Sequence, residues 1–426
     1  MVPPDALNCL NLPRVKMKVA FIGGFAFSPK GTIRARTHPL AAELVKLGHE
    51  VAIFLPPYDN LEDSGREWEQ EGVWIRNMKT GARAWSYPQL LSSLVREVNH
   101  YSPDVIHVFK PKGFAGAAAT YFLLQGIRSL ALDCDDWEGW GGWNEVKQYP
   151  WVVKEFIARQ ESWLMRSAPA VTVASRTLQD RVAQVRGGRE GVYYVQNCGA
   201  SAAGQEMQRA VRSLSQEEVR RQLGLPEGPI VLYSGHFEDA DSVNFFCRAA
   251  RRAIAQEQVS LVFVGNGIDH VRWRALFGAC PGTSLLFFPR LGYEEFLRVI
   301  WACDVAAFPY PDDPVHRSKC SARIIDYMAM GKAVLTSAVG QNCEYIVNSQ
   351  NGILVPPGDE QQFADQLSLL LRNPELRQRL GQNAEMHIQE KFRWGGDALQ
   401  QCLAAYEQVL TGRQPRSQSH LRRYAS

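Results

Sequence analysis

Short apolar runs rich in β-branched residues alternate along this chain with longer stretches whose apolar residues recur every three or four positions. Lys16-Met-Lys-Val-Ala-Phe-Ile ends at Gly23-Gly24 and reads as a buried strand closed by glycines. Thr37 to Leu47 carries a helical pattern and stops at Gly48, a fitting helix end. His49-Glu-Val-Ala-Ile-Phe-Leu55 is the next strand. Strand, glycine loop, helix and strand make a Rossmann-like opening. Asp104-Val-Ile-His107-Val-Phe109, Ser129-Leu-Ala-Leu-Asp133 and Ala170-Val-Thr-Val-Ala-Ser175 continue the alternation. Such a pattern predicts a parallel sheet covered by helices on both faces.

A second series of the same kind begins at Pro229-Ile-Val-Leu-Tyr-Ser-Gly235, after a capping-box match at Ser215-Gln-Glu-Glu218. Ser260-Leu-Val-Phe-Val-Gly265, Ser284-Leu-Leu-Phe-Phe288, Val305-Ala-Ala-Phe308 and Ala333-Val-Leu-Thr336 supply its further strands. Phe363 to Leu371 and Pro374 to Leu380 read as helices. At 426 residues the chain exceeds one compact core and suits two α/β domains.

Composition narrows the class. An apolar fraction of 46% with 21% charged residues is ordinary for a soluble globular protein. A net charge of +3 is too small to argue for nucleic acid. No apolar run approaches the ~18 residues of a membrane span, and the first residues lack the basic and apolar regions of a signal peptide. The nine cysteines are scattered without a Cys-x-x-Cys pair, which favours a reducing cytoplasm over a disulfide framework or a zinc site. The nine histidines show no metal-ligand spacing.

The segment from Arg317 to Thr336 is the most informative. It joins a basic loop to a short amphipathic helix, then to Gly331 and an apolar strand. Ser318 is expected to open the helix, with Asp326 about two turns on and near the same face. Free backbone N–H groups beside Arg317, Lys319 and Arg323 suit a diphosphate. A carboxylate farther along suits the two hydroxyls of a ribose. A solvated basic loop before an ordinary helix is the competing reading.

This segment resembles the donor-site motif of the retaining GT-B glycosyltransferases of family four. Asp326 falls at the second of that family's two glutamates, and Met328-Ala-Met-Gly331-Lys-Ala-Val334 follows as the family's run does. The first glutamate is replaced by Ser318. Lys319-Cys320 and Arg323 match a bacterial branch with Lys-Cys-x-x-Lys/Arg in this loop. Gly235-His236 departs again: the family's arginine and lysine fall at His236 and Asp241, so the cationic role is expected to pass to Lys319 and Arg323. The resemblance implies donor contacts from Gly24, His236, Ser318, Lys319, Ser321, Arg323 and Asp326. Lys30, Arg34 and Arg36 share a loop with Gly24 and read either as acceptor contacts or as solvated charges.

Asp133-Cys-Asp135-Asp136-Trp-Glu138-Gly-Trp140-Gly-Gly-Trp143 is the second dense cluster, at the mouth of the first sheet. Relatives carry His-Asp near Asp135-Asp136, so these two carboxylates are the candidate catalytic pair, orienting an acceptor hydroxyl or taking its proton. The three tryptophans suit a sugar face or a lipid headgroup region, or else pack as loop core. His107 reads as a core histidine.

The expectation is therefore a GT-B architecture: two Rossmann-like domains with parallel sheets facing a central cleft. The first spans 1–195 and is completed by a helix at 394–411; the second spans 196–393, after a crossover at Tyr194-Val-Gln-Asn197; 412–426 is a polar tail. The implied reaction moves a sugar from a nucleotide diphosphate sugar to a sugar, glycan, lipid-linked or small-molecule acceptor, with retention. It uses no metal and no cofactor beyond the donor substrate. No nucleic-acid partner is expected. The implied setting is cytoplasmic, with peripheral contact at the inner membrane face. Two rivals stand beside it: an epimerase or phosphorylase on the same fold, and a non-catalytic nucleotide- or carbohydrate-binding protein.

Overall fold

Strands covered on both faces read as unbroken apolar runs, and the centre of the first sheet is built from them. Val105–Phe109 is buried at every position, as are Leu130–Cys134 and Ala170–Val173. The structure is a computed structural model describing residues 16–28, 30–81, 86–237, 240–254, 259–267, 270–277 and 283–412. The expected irregular lead and polar tail lie outside these residues. The chain divides into two units, one running to Gln196 and resuming at Asp397, the other Asn197–Gly396.

The first unit holds eight strands: β1 (Lys18–Ile22), β2 (Glu50–Leu55), β3 (Glu67–Gln70), β4 (Val73–Asn77), β5 (Val105–Phe109), β6 (Leu130–Cys134), β7 (Ala170–Val173) and β8 (Val192–Tyr194). Their order is β3-β4-β2-β1-β5-β6-β7-β8, and every pairing is parallel except β3 with β4. Phe21 at the sheet's centre stands opposite Ile53 on one side and His107 on the other. From β1 the chain travels first toward β2 and later returns to β5, so the switch point lies between β1 and β5. Ligands of open α/β sheets bind beyond the strand ends there.

The antiparallel β3–β4 hairpin was not foreseen. Its turn is Glu71-Gly72, both with positive φ, as tight hairpin turns require. The helix expected from Thr37 is His38–Lys46, preceded by a π-helical turn, Ile33–Thr37. That turn carries Arg36 inward, correcting its reading as a solvated or acceptor-facing charge. Arg36 is 2% exposed and grips Asp133 through Nε and Nη2 at 2.7 and 2.6 Å, with Nη1 donating to the Val195 carbonyl. Thr172 donates to the same carboxylate, and His107 bridges Thr172 and the Tyr406 hydroxyl. Burial would push the Asp133 carboxyl up, but the guanidinium overrides it and holds the group below the usual carboxylate range. Burial pushes His107 down to about 4, so it stays neutral as a core histidine. Tyr406 belongs to the last helix, Leu399–Thr411, which packs within this unit.

The second unit holds β9 (Ile230–His236), β10 (Ser260–Asn266), β11 (Ser284–Phe288), β12 (Val305–Phe308), β13 (Ala333–Ser337) and β14 (Ile353–Val355), all parallel in the order β11-β10-β9-β12-β13-β14. Its switch point lies between β9 and β12. Of these strands, three-residue β14 was not anticipated. Gly265 has φ of 152°, and a Cβ there would lie 2.0 Å from the Gly235 carbonyl oxygen. Only glycine lets the ends of β9 and β10 close this tightly.

Candidate functional site

In the second unit the donor motif lies beside the β9–β12 switch point. Its helix begins later than the sequence implied. Pro314–Ser318 is a separate short helix capped by Asp313, whose carboxylate accepts from the His316 N–H. Lys319 is extended, and the motif helix is Ala322–Ala329 with Ser321 at its N-cap. The break is made at long range: Asn197 donates its N–H to Cys320 Sγ and its side-chain amide to the Cys320 carbonyl.

Two expectations change with it. Ser318 closes the preceding turn instead of opening the motif helix; its hydroxyl donates to the Val315 carbonyl and the residue is 1% exposed. Arg317 is held by Asp312 through two hydrogen bonds of 2.5 and 2.7 Å. The cations at the helix start are therefore Lys319 and Arg323. Arg323 donates to the Ser234 carbonyl at 2.8 Å and lies 4.6 Å over the Phe308 ring, which seats it between the ends of β9 and β12. Lys319 lies over Tyr310, the residue following β12 by two. Ser321 Oγ is buried, caps no backbone N–H and has no hydrogen-bond partner among the described residues. No acidic side chain occupies the helix's first turn. A helix start left uncapped beside two cations is an anion site in waiting.

Asp326 follows one turn along, buried at 7% exposure. The Tyr293 hydroxyl donates to its Oδ1 at 2.9 Å, and Gln208 Nε2 reaches both Tyr293 and Asp326. Tyr293 opens the Tyr293–Ala302 helix, and Gln208 sits on Ala202–Arg212. Neither was singled out in the sequence, where nothing marks residues that meet Asp326 only through tertiary packing. Of His236 only the backbone is described; its side chain lies outside the described residues. Asp241 is exposed in the first turn of Ala240–Ala253.

In the first unit Gly24 follows β1 at the switch point, and a Cβ there would stand 3.7 Å from that of Lys110. Lys110, just past β5, has φ of 79°, a left-handed backbone that a non-glycine residue holds only when its surroundings fix it. The surroundings are Asp135, Asp136 and Glu138, whose oxygens lie 3.1, 2.7 and 3.1 Å from Lys110 Nζ. Lys112 pairs with Glu138 as well. Three carboxylates this close have the spacing of a cation site, but an ammonium of the chain already stands among them. Burial alone would depress Lys110, and its three carboxylate neighbours instead raise it well above the usual lysine value.

The two candidate catalytic carboxyls differ. Burial pushes Asp135 up, and its Oδ1 is within ion-pair range of Lys110 without hydrogen-bond geometry. Burial acts on Asp136 too, but its Coulombic attraction and hydrogen bond to Lys110 hold it below the usual range. Glu161 clamps the loop from beneath, accepting from the N–H groups of Glu138 and Gly139; burial pushes it to about 7. Lys110 was not singled out, although its place at a strand end, Phe109-Lys110-Pro111-Lys112, was a signal; Glu161 offered none, being one of two acids on its helix.

Residues 31–198 match the family described as glycosyl transferase 4-like domain, and residues 228–373 match the glycosyl transferases group 1. A D-inositol 3-phosphate glycosyltransferase of Stackebrandtia nassauensis is 29% identical over 208 residues, 46% of this chain and 45% of that one. An α-D-kanosaminyltransferase of Streptomyces kanamyceticus is 26% identical over 169 residues, 39% and 42% of the two chains. The chain thus spans about half or less of the curated relatives it matches. Sucrose-phosphate synthase of Thermosynechococcus elongatus shares the fold at TM-score 0.70 and 20% identity, covering 93% of this chain and all of that one. The two parallel-sheet α/β domains are those of the GT-B fold, and with both domain types matched in chain order this protein belongs to the group 1 glycosyltransferases, family four.

Proposed function

We propose that this protein transfers a sugar from a nucleotide diphosphate sugar to an acceptor with retention at the anomeric carbon. The observation that carries the reading is the start of the Ala322–Ala329 helix: uncapped, free of acid in its first turn, flanked by Lys319 and Arg323, with Asp326 one turn on. The diphosphate meets the helix N–H groups, the two cations and the Ser321 hydroxyl, which has no hydrogen-bond partner among the described residues. Asp326 accepts from the ribose hydroxyls. These groups stabilise the departing diphosphate as its charge grows, without a metal ion or further cofactor. Ser318 has no part in this because its hydroxyl is buried and committed. Relatives named as glycosyltransferases support the class of reaction.

On the first unit, Gly24 lets the backbone come close at the switch point. Asp136, the more exposed of its pair, orients the acceptor hydroxyl. Asp135, whose burial strengthens its hold on a proton, receives the proton late in the reaction. The acceptor is a sugar, glycan, lipid-linked or small molecule. The cytoplasmic face of a membrane, touched peripherally, belongs to the same reading; no described helix is long and apolar enough to cross one.

The test is to incubate the protein with a panel of nucleotide sugars and mixed acceptors, and to read products by mass spectrometry and anomeric NMR. A glycosylated acceptor with the donor's anomeric configuration is expected. Epimerised donor or free sugar phosphate favours the rival enzymes. Ligand binding without turnover favours the non-catalytic rival.

A further inference from the structure

The helix Trp151–Ser167 is ordinary over its second half, where Ile157, Gln160, Glu161 and Leu164 are buried. Its first turns are not. Trp151 is 66% exposed, Val152 70%, Val153 40% and Phe156 60%, and Val146 and Tyr149 in the approach are exposed too. Trp151, Val152 and Val153 are consecutive, and successive helical positions turn by about 100°. The exposed apolar side chains therefore point more than half-way round the helix start. It is a helix tip open on more than one side, wider than a single stripe. A flat protein partner covers one side of such a tip; a fluid layer covers all of it.

The charges around the tip agree. Lys147 Nζ lies 5.6 Å from the Trp143 ring centre and Lys154 Nζ 5.9 Å from that of Trp140, so each ammonium is held beside an aromatic at the border of the apolar surface. The helix start has no side-chain cap and no acid in its first turn, leaving its positive end uncompensated. Of the nearby acids, Glu155 is taken by Trp140 Nε1 and Arg159. Glu145 accepts from the Gly141 N–H. Tryptophan and tyrosine among valines, bordered by lysines long enough to reach outward, is the composition of the boundary between headgroups and acyl chains.

We propose that residues 146–156 insert into the headgroup boundary of an anionic lipid bilayer and hold the first unit on the membrane face. The surface gives a location to the peripheral contact included in the reading above, and it does not depend on how the donor is bound.

The experiment sediments the full chain with vesicles of phosphatidylcholine, alone or mixed with phosphatidylglycerol. Capture by the mixed vesicles, weakening with salt, is expected. The double variant Trp151→Ser, Val152→Ser loses about tenfold or more in partitioning, since each large apolar side chain withdrawn from lipid costs roughly that much. The double variant Lys147→Glu, Lys154→Glu loses the preference for anionic vesicles. Leu124→Ser, an exposed apolar residue on another helix, partitions as the parent does. All five positions border solvent, so melting temperatures stay with the parent's. Parent protein left in the supernatant, or capture untouched by the Trp151 and Val152 changes, overturns the proposal. So does a concentration-dependent dimer that Trp151→Ser dissociates while vesicles capture nothing, which assigns the tip to a second copy. Nucleotide affinity and sugar transfer to a soluble acceptor, measured on the same preparations, separate the two failures: a failed surface leaves both intact, whereas a failed glycosyltransferase reading shows no transfer.

Discussion

Tyr293 and Gln208 bear on how well the Asp326 carboxylate is aimed. Tyr293 donates to Oδ1 from one helix and Gln208 closes the triangle from another. Tyr293→Phe keeps the ring and removes the hydroxyl, taking away one of the contacts that orient the carboxylate. The expected result is a KM for the donor raised about three- to tenfold, within the range for one ordinary hydrogen bond because other contacts to the carboxylate remain, with kcat little changed. An unchanged KM removes Tyr293 from any positioning role. Glu161 offers a second test at this scale, through pH. Its folded value, near 7, lies above the ~4.3 of an unfolded glutamate. The folded state therefore holds a proton that the unfolded state has lost, and this group's contribution falls as pH rises from about 4.5 through 7. Glu161→Gln should flatten that part of the stability curve by roughly 1–3 kcal/mol. Denaturant titrations of parent and variant across the window check it, and parallel curves contradict it.

Elements were legible where burial makes long apolar runs, as in Val105–Phe109 or Leu130–Cys134. The edge hairpin Glu67–Asn77 escaped because β3, Glu-Trp-Glu-Gln, carries one apolar residue beside solvent and β4 has an apolar run of only three, and Ile353–Val355 is too short to carry a period. The break between Ser318 and Ala322 was invisible for a different reason. No glycine or proline interrupts Val315 to Met330, and the clamp on Cys320 comes from Asn197, far away in sequence. Hence the motif was read correctly as helix, glycine and strand, while its start was placed too early and Ser318 was assigned a role that its buried hydroxyl cannot fill. Likewise Arg36 looked like a loop charge because nothing local signals its pairing with Asp133. The meeting of β9 with β10 gives a prediction for this scale. Gly265→Ala places a methyl carbon against the Gly235 carbonyl in a backbone conformation that alanine resists. A loss of about 2–4 kcal/mol in unfolding free energy is expected, by strain and displaced backbone together. A change under ~0.5 kcal/mol would mean that the two strand ends are not held together.

At the scale of the whole molecule, two α/β units of one architecture carry different chemistry at equivalent places. Beyond β1 and β5 of the first lie Gly24, Lys110 and three carboxylates; at the ends of β9 and β12 of the second lie Gly235, Arg323 and the uncapped helix start. The cation-rich crevice suits the donor's diphosphate, and the carboxylate-rich one suits acceptor hydroxyls. Calorimetric titration tests this division most directly, comparing a nucleoside with its diphosphate, for the base that binds best, on parent, Arg323→Ala and Asp326→Ala proteins. The account predicts that Arg323→Ala weakens the diphosphate by about 1.5–3 kcal/mol and barely alters the nucleoside, whereas Asp326→Ala weakens both by a similar amount. Diphosphate affinity equal to the parent's in both folded variants would contradict it.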